Sequence, residues 1–149
     1  MKVFVDTNLF VYALDRLSPF HGAATEVLQR IDAGELEGHC SYQVLTEFYS
    51  AVTKNAARPL TPHQAAREGR RLLDAEKLVK LPVDAVALDL TFALARKYRL
   101  RGVVVFDAQI VGTMLSHRIG RLYTANERDF ARFREIEVVN PLTHQPRSR

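Results

Sequence analysis

Asp6, Glu47 and Asp107 are carboxylates set where a carboxylate is costly. Asp6 ends the short apolar run Val3-Phe4-Val5, Glu47 lies inside Leu45-Thr46-Glu47-Phe48-Tyr49, and Asp107 follows Val103-Val104-Val105-Phe106. A carboxylate at the edge of a core must shed water, at a cost of several kcal/mol unless a cation or hydrogen-bond donors compensate. Three such acids, far apart in sequence, point to one shared site that holds a divalent cation. A further acidic segment, Thr124-Ala125-Asn126-Glu127-Arg128-Asp129-Phe130, directly follows an expected strand. Its Thr124, Asn126 and Asp129 would meet the other acids there. Converging carboxylates stay ionised at neutral pH only if something cancels their charge. Oxygen-only ligands select Mg²⁺ or Mn²⁺. Zinc is disfavoured, because Cys40 is alone and His21, His39, His63, His117 and His144 show no paired ligand spacing. One or two hard cations holding a water and a phosphodiester suit in-line hydrolysis. Each acid also has an ordinary alternative: Asp6 and Asp107 as helix caps, Glu47 as a boundary residue reaching outward, and Asp129 as the cap of a short helix containing Phe130.

The elements that must position these groups follow from pattern. Strands are expected at 2–5, 39–41, 79–82, 121–124 and 137–139. Ser18-Pro19 reads as a helix start, giving a helix over 19–33 that Gly34 stops. A second helix is expected over 42–55, where Val44, Glu47, Phe48 and Ala51 form one stripe and place Glu47 on or beside the apolar face. Thr61-Pro62-His63-Gln64 is a capping box opening a helix to about 76. Asp84 caps a helix to about 98 with Val86, Leu90, Ala93 and Leu94 on one face, and Asp107 begins a helix bearing Ile110, Val111, Met114 and Leu115. Short strands alternating with helices predict an α/β fold with a short central parallel β-sheet flanked by helices. In such sheets ligands bind beyond the carboxyl ends of the strands, which is where Asp6 and Thr124 fall.

At 149 residues, 47% apolar and 26% charged, the chain is expected to form one globular domain over 1–142 with an irregular tail over 143–149, large enough to bury a core without disulfides. A single cysteine, an N-terminal apolar run too short for a signal peptide, and no stretch long enough for a membrane span together predict a cytoplasmic location. The net charge of +4, with 16 Arg against 5 Lys, hints at an anionic partner. Arg96, Lys97, Arg99 and Arg101 cluster just ahead of Asp107, where positive charge would meet phosphates. The alternative for them is a solvated helix end favourable to the dipole.

Asp6-Thr7-Asn8 between its two apolar runs, Thr46-Glu47-Phe48, Leu100-Arg101-Gly102 ahead of Phe106-Asp107-Ala108, the Thr124, Asn126, Asp129-Phe130 segment and the closing Val138-Val139-Asn140-Pro141 together resemble the PIN-domain ribonucleases. Within that family the chain resembles the VapC toxins of type II toxin–antitoxin systems. The resemblance implies a PIN-like fold and a Mg²⁺-dependent endoribonuclease, with Mn²⁺ as a substitute, that cleaves RNA to inhibit translation. It also implies neutralisation by a cognate antitoxin, and a homodimer. It assigns Asp6, Glu47 and Asp107 to the family's acids, with Asp6 and Asp107 on the metal and Glu47 as a third ligand or water-positioning base. Thr7 or Asn8 matches the small polar residue beside the first acid. Many relatives carry Asp where Asn126 stands, so the fourth carboxylate is expected from Asp129, with Thr124 and Asn126 in support. The antitoxin's apolar helix is expected around Phe20 and Tyr49.

Other acid-bearing parallel folds fit less well. A response-regulator receiver needs paired acids after the first strand and a late lysine, and no Lys follows Lys97. A haloacid-dehalogenase-type phosphatase needs a second Asp where Asn8 stands. The remaining alternative is a non-catalytic RNA-binding or scaffold module of PIN-like fold.

Overall fold

The computed structural model describes residues 1–54 and 56–143. Val3, Phe4 and Val5 are wholly buried, as a run of branched and aromatic residues requires when helices cover both faces of a strand. They form β1 (Lys2–Val5) at the centre of a five-stranded, fully parallel sheet. The others are β2 (Glu37–Ser41), β3 (Val79–Leu81), β4 (Arg121–Tyr123) and β5 (Glu137–Val139), in the order β3-β2-β1-β4-β5. Phe4 pairs with His39 on one side and Leu122 on the other. The chain thus builds outward from β1 to β3, then returns to the other side of β1 with β4 and ends at the opposite edge with β5. That reversal leaves a crevice beyond the carboxyl ends of β1 and β4, the place where such sheets bind ligands.

Among the described residues seven α-helices accompany the sheet: α1 (Thr7–Leu14), α2 (His21–Asp32), α3 (Tyr42–Lys54), α4 (Pro62–Asp74), α5 (Ala85–Tyr98), α6 (Val105–Ser116) and α7 (Glu127–Phe130). The capping box at Thr61 is present in both directions, with Gln64 N–H donating to Thr61 Oγ1 (3.2 Å) and Gln64 Oε1 accepting from Thr61 N–H (3.0 Å). Asp84 caps α5 by accepting from Ala87 N–H (2.9 Å). Gly34, in the left-handed region at φ 76°, follows α2 as expected. Among the described residues no helix is long and apolar enough to cross a membrane. The expected end of the second helix at Asn55 and the expected tail from 144 onward lie outside the described residues.

Four expectations change. The first long helix starts at His21, not residue 19: Ser18 Oγ accepts from Phe20 N–H (3.1 Å) in a turn, and the Phe20 ring packs edge-on to Tyr12 with centroids 5.1 Å apart. β2 begins two residues earlier than expected, at Glu37. There a Cβ on Gly38 would stand 2.5 Å from the Ile31 side chain, so glycine lets α2 lie close on the strand. Asp107 does not cap its helix. A 3₁₀ turn over Gly102–Val104 leads into α6, Asp107 is the third helical residue, and the preceding Val103 and Phe106 are 77% and 50% exposed. Finally, α5 buries Ala87, Thr91 and Leu94, leaving Val86 and Phe92 largely in solvent. The cause is the tight crossing with α6: a Cβ on Gly112 would meet Thr91 Oγ1 at 2.4 Å and the Ala87 carbonyl at 2.7 Å. Small residues must face that crossing, which rotates the larger ones outward.

Candidate active site

Asp6 lies at the carboxyl end of β1 and is 4% exposed. It is both the N-cap of α1 and the centre of a hydrogen-bond cluster. Its Oδ1 accepts from Thr7 N–H (2.8 Å), while Oδ2 accepts from Thr124 Oγ1 (2.7 Å) and Asn8 Nδ2 (3.2 Å). Capping and a place in the site are therefore compatible roles for this residue. Thr124, wholly buried just after β4, also accepts from Asn8 Nδ2 (3.2 Å) and Asn126 N–H (3.0 Å). A hydroxyl has one proton and two lone pairs, so Thr124 is fully used. Asn8 Oδ1 accepts from Ala125 N–H (3.0 Å), which fixes its amide with the nitrogen toward Asp6. Burial raises the Asp6 carboxyl above its ordinary range against the pull of these donors, and Glu47 raises it further.

Glu47 comes from α3, half-buried beside Val44 and Phe48 as its helical stripe predicts. Thr7 Oγ1 donates to its Oε2 (3.1 Å) and Gln43 Nε2 to its Oε1 (2.8 Å). Thr7 and Asn8 thus divide the work beside the first acid: Thr7 holds Glu47, and Asn8 holds Asp6. Asp107 projects from the first turn of α6, and among the described residues no hydrogen-bond donor reaches its carboxylate. Its carboxyl is pushed up to about 6, first by burial, then by the negative charges of Asp129, Asp6 and Glu47, with Arg132 pulling the other way. Asn126 and Phe130 bring the α7 segment to a cleft that Asp6, Glu47 and Asp107 also line, and Asp129, though not among the lining residues, is near enough for its charge to act on Asp107. Asp129 sits inside α7 and makes no cap bond; Asn126 holds the N-cap position, also without a side-chain cap bond.

A cleft of about 900 Å³ opens over Asp6, Thr7, Asn8, Glu47, Asp107 and Asn126, and runs to an apolar end at Tyr12, Phe20 and Leu60, with Arg16 and Arg58 on its walls. Of the basic cluster before Asp107, Lys97 is already matched. Its Nζ lies 2.6 Å from Glu135 Oε1 and 5.2 Å from the centre of the Tyr98 ring. Arg96, Arg99 and Arg101 are not wholly buried and are in no ion pair among the described residues. Sequence reading missed Gln43, Gln109 and Arg132. Only the i, i+4 spacing of Gln43 and Glu47 offered a local signal.

The donor set is oxygen-only and anionic, the chemistry that suits a hard divalent cation. Among the described residues no three acidic, histidine or cysteine side chains form a ready-made metal cage. Like-charged carboxylates without a cation stand apart, and Mg²⁺ takes few protein ligands and keeps several waters. The Asp6 and Asp107 carboxyls are raised first by burial and then by neighbouring negative charge, both of which a bound cation would offset. The residues fit such an ion on these grounds.

Comparison with known proteins agrees with this geometry. The PIN domain family model matches residues 3–136. Ribonuclease VapC48 of Mycobacterium tuberculosis is 25% identical over 145 residues, covering 96% of this chain and 99% of that protein. DNA-bound VapBC from Salmonella typhimurium matches with a TM-score of 0.68 at 21% identity, over 95% of this chain and 98% of the other. VapC20 of M. tuberculosis, a sarcin-ricin loop cleaving toxin, matches with a TM-score of 0.66 at 18% identity, over 87% and 93%. With the acids gathered beyond a five-stranded parallel sheet and the family match spanning nearly all of it, the chain belongs to the PIN domain family.

Proposed function

We propose that this protein is a Mg²⁺-dependent endoribonuclease toxin of the VapC kind, which cleaves RNA to inhibit translation and is neutralised by a cognate antitoxin. The observation that carries the reading is the meeting of Asp6, Glu47, Asp107 and Asp129 in one field of negative charge, which Arg132 and the donors around Asp6 offset only in part, leaving the Asp6 and Asp107 carboxyls raised. In a binding or scaffold module that charge would be a standing cost with no return, and an RNA phosphate would be repelled by it. The ribonuclease names of relatives at this level of identity support the same reading.

In this scheme Asp6 and Asp107 hold Mg²⁺, with Mn²⁺ as a substitute. Such an ion supplies a Lewis acid for the phosphoryl oxygen and an acidified water. Glu47, braced on both oxygens, accepts the proton that the attacking water loses. Thr124 and Asn8 keep the Asp6 carboxylate turned into the cleft. Asp129 adds negative charge on the Asp107 side, and Asn126 presents a neutral amide. Purified protein incubated with total RNA should yield discrete new ends with Mg²⁺ and none in EDTA. Cleavage undiminished in EDTA would refute the metal requirement, and no cleavage under either condition would refute the nuclease.

Asp129 and Asn126 can be separated. Removing a charge that supports the ion raises the Mg²⁺ needed for half-maximal cleavage, whereas removing a neutral positioning group does not. Asp129→Asn is expected to raise that concentration severalfold with little change in melting, and Asn126→Ala to leave it near the wild-type value. The reverse ranking, from a Mg²⁺ titration of each variant, would transfer the fourth site role to Asn126.

Arg96, Arg99 and Arg101 are proposed to hold the RNA backbone, with a lesser share for Lys97 because Glu135 already neutralises it. Removing one cation from a phosphate flattens the salt dependence of binding by about 0.7–1 in log–log slope. Arg99→Gln with Arg101→Gln should flatten it by roughly 1.5–2 on that basis, and Lys97→Gln should do much less. Equal slopes for all variants would remove the segment from the RNA path.

The apolar end of the cleft, at Tyr12, Phe20 and Leu60, is proposed to take an apolar helix of the antitoxin, with a basic residue reaching the carboxylates. Of the two aromatics around which the antitoxin helix is expected on the first two long helices, Phe20 lines this cleft and Tyr49 is not among its lining residues. A homodimer is proposed from the family resemblance, and sedimentation of the purified chain tests it.

A further inference from the structure

Two glutamines outside every motif join α3 to α6 beside the acids. Gln43 Nε2, on α3, donates to Glu47 Oε1 (2.8 Å) and to the Phe106 carbonyl (3.1 Å). Gln109 Nε2, on α6, donates to Gln43 Oε1 (2.6 Å). The two groups facing the Gln43 nitrogen, a carboxylate and a backbone carbonyl, can only accept. An NH₂ group must face them, so Gln43 Oε1 is turned to Gln109, which must present its own NH₂. The direction of every bond is thus fixed by chemistry. Phe106 and Gln109 flank Asp107, so this chain of bonds ties the Asp107 turn of α6 to Glu47 on α3. It also opposes a force. Glu47 and Asp107 repel each other, and a half-buried glutamate on a helix surface would relieve that repulsion by swinging into solvent.

We propose that Gln43 and Gln109 are positioning residues for Glu47, with Gln109 acting only through Gln43. The inference rests on the reading of Glu47 and Asp107 as site acids. It makes a requirement of residue 109 that packing alone would not: it must donate. Gln109→Glu keeps the size but can only accept. Gln43 would then turn its NH₂ toward the new carboxylate at position 109 and press its oxygen against Glu47 and the Phe106 carbonyl. Glu47→Gln supplies an NH₂ that meets the turned Gln43 oxygen. Residues 109 and 47 share no hydrogen bond, yet their substitutions should be coupled.

The test is a set of melting curves in EDTA for Gln109→Glu, Glu47→Gln and the pair, each with Gln43 and with Gln43→Met. The pair should melt several degrees above the value that its single shifts add up to, and Gln43→Met should abolish that excess. No excess overturns the proposal. So does an excess that survives Gln43→Met, because it would then come from charge balance alone. Mn²⁺ binding by calorimetry gives an independent readout. Gln43→Met should weaken it by about tenfold or more, as loss of a group orienting a metal-site acid does. Unchanged affinity in Gln43→Met, with wild type binding normally, overturns the positioning role. Wild type that neither binds Mn²⁺ nor cuts RNA would instead overturn the nuclease reading, while the melting cycle still decides whether Gln43 and Gln109 orient Glu47.

Discussion

Asp107→Asn is expected to fold normally and to lose RNA cleavage by on the order of 10²–10³-fold, the effect of removing one essential electrostatic group from a reacting centre. Asn has the same shape, and no hydrogen-bond donor of the described residues depends on the Asp107 carboxylate, so nothing is left unpaired. Only the charge disappears. Asp6→Asn should lose activity to a similar degree but also lose stability. Its new NH₂ would face the Asn8 amide nitrogen and the Thr124 hydroxyl, both of which now donate to Asp6 Oδ2. Thr124 can rotate its proton, but Asn8 cannot turn without abandoning Ala125 N–H. Cleavage rates beside circular dichroism melts distinguish the two variants. Wild-type cleavage by Asp107→Asn at ordinary Mg²⁺ would refute the site. Equal melting of both variants would refute the account of the Asp6 cluster.

What the sequence disclosed and what it hid divide along a physical line. Asp6, the Thr61 capping box, the Gly34 stop and the central Val3-Phe4-Val5 strand depend on neighbours within a few residues, and each was readable. So was the placing of Asp6 and Thr124 together, because strands in a parallel sheet end on one side. The apolar face of α5 was misplaced because its rotation is set by Gly112, more than twenty positions from the start of that helix, through a crossing too tight for a Cβ. The exposure of Val103 and Phe106 was hidden for a related reason. An apolar run reads as core, and only the 3₁₀ turn over Gly102–Val104 shows these side chains leaving it. Lys97 looked free until the chain brought Glu135 beside it. Gln43 and Gln109 are ordinary surface residues by type, and only their contact across 66 positions makes them part of the site.

The strain of gathering these acids should itself be measurable in protein stripped of metal. An acid whose carboxyl is raised on folding holds its proton more tightly in the native state than in the unfolded chain. For Asp107 the window runs from an unfolded value of about 3.9 up to about 6. Above that window both states are ionised and the native state bears the full cost. As pH falls through about 6 the native carboxyl takes up its proton, and the cost has gone by about pH 4. Asp6 acts in the same direction. In EDTA at pH 7.5, Asp107→Asn should therefore be more stable than wild type by about 1 kcal/mol, allowing for solvent screening, or roughly 2–4 °C. That gain should shrink to nothing by pH 4. Mg²⁺ would offset the same cost of burial and repulsion by a different route. At about one hundred times its dissociation constant it should stabilise wild type by about 2.7 kcal/mol, or roughly 5–10 °C, and Asp107→Asn by far less. The order of the two proteins thus inverts when metal is added at neutral pH. Calorimetric melts of both, with EDTA and with Mg²⁺, at pH 7.5 and pH 4, contain the whole test. If Asp107→Asn is the less stable protein in EDTA at pH 7.5, the carboxylates are not in uncompensated repulsion and have no need of a cation.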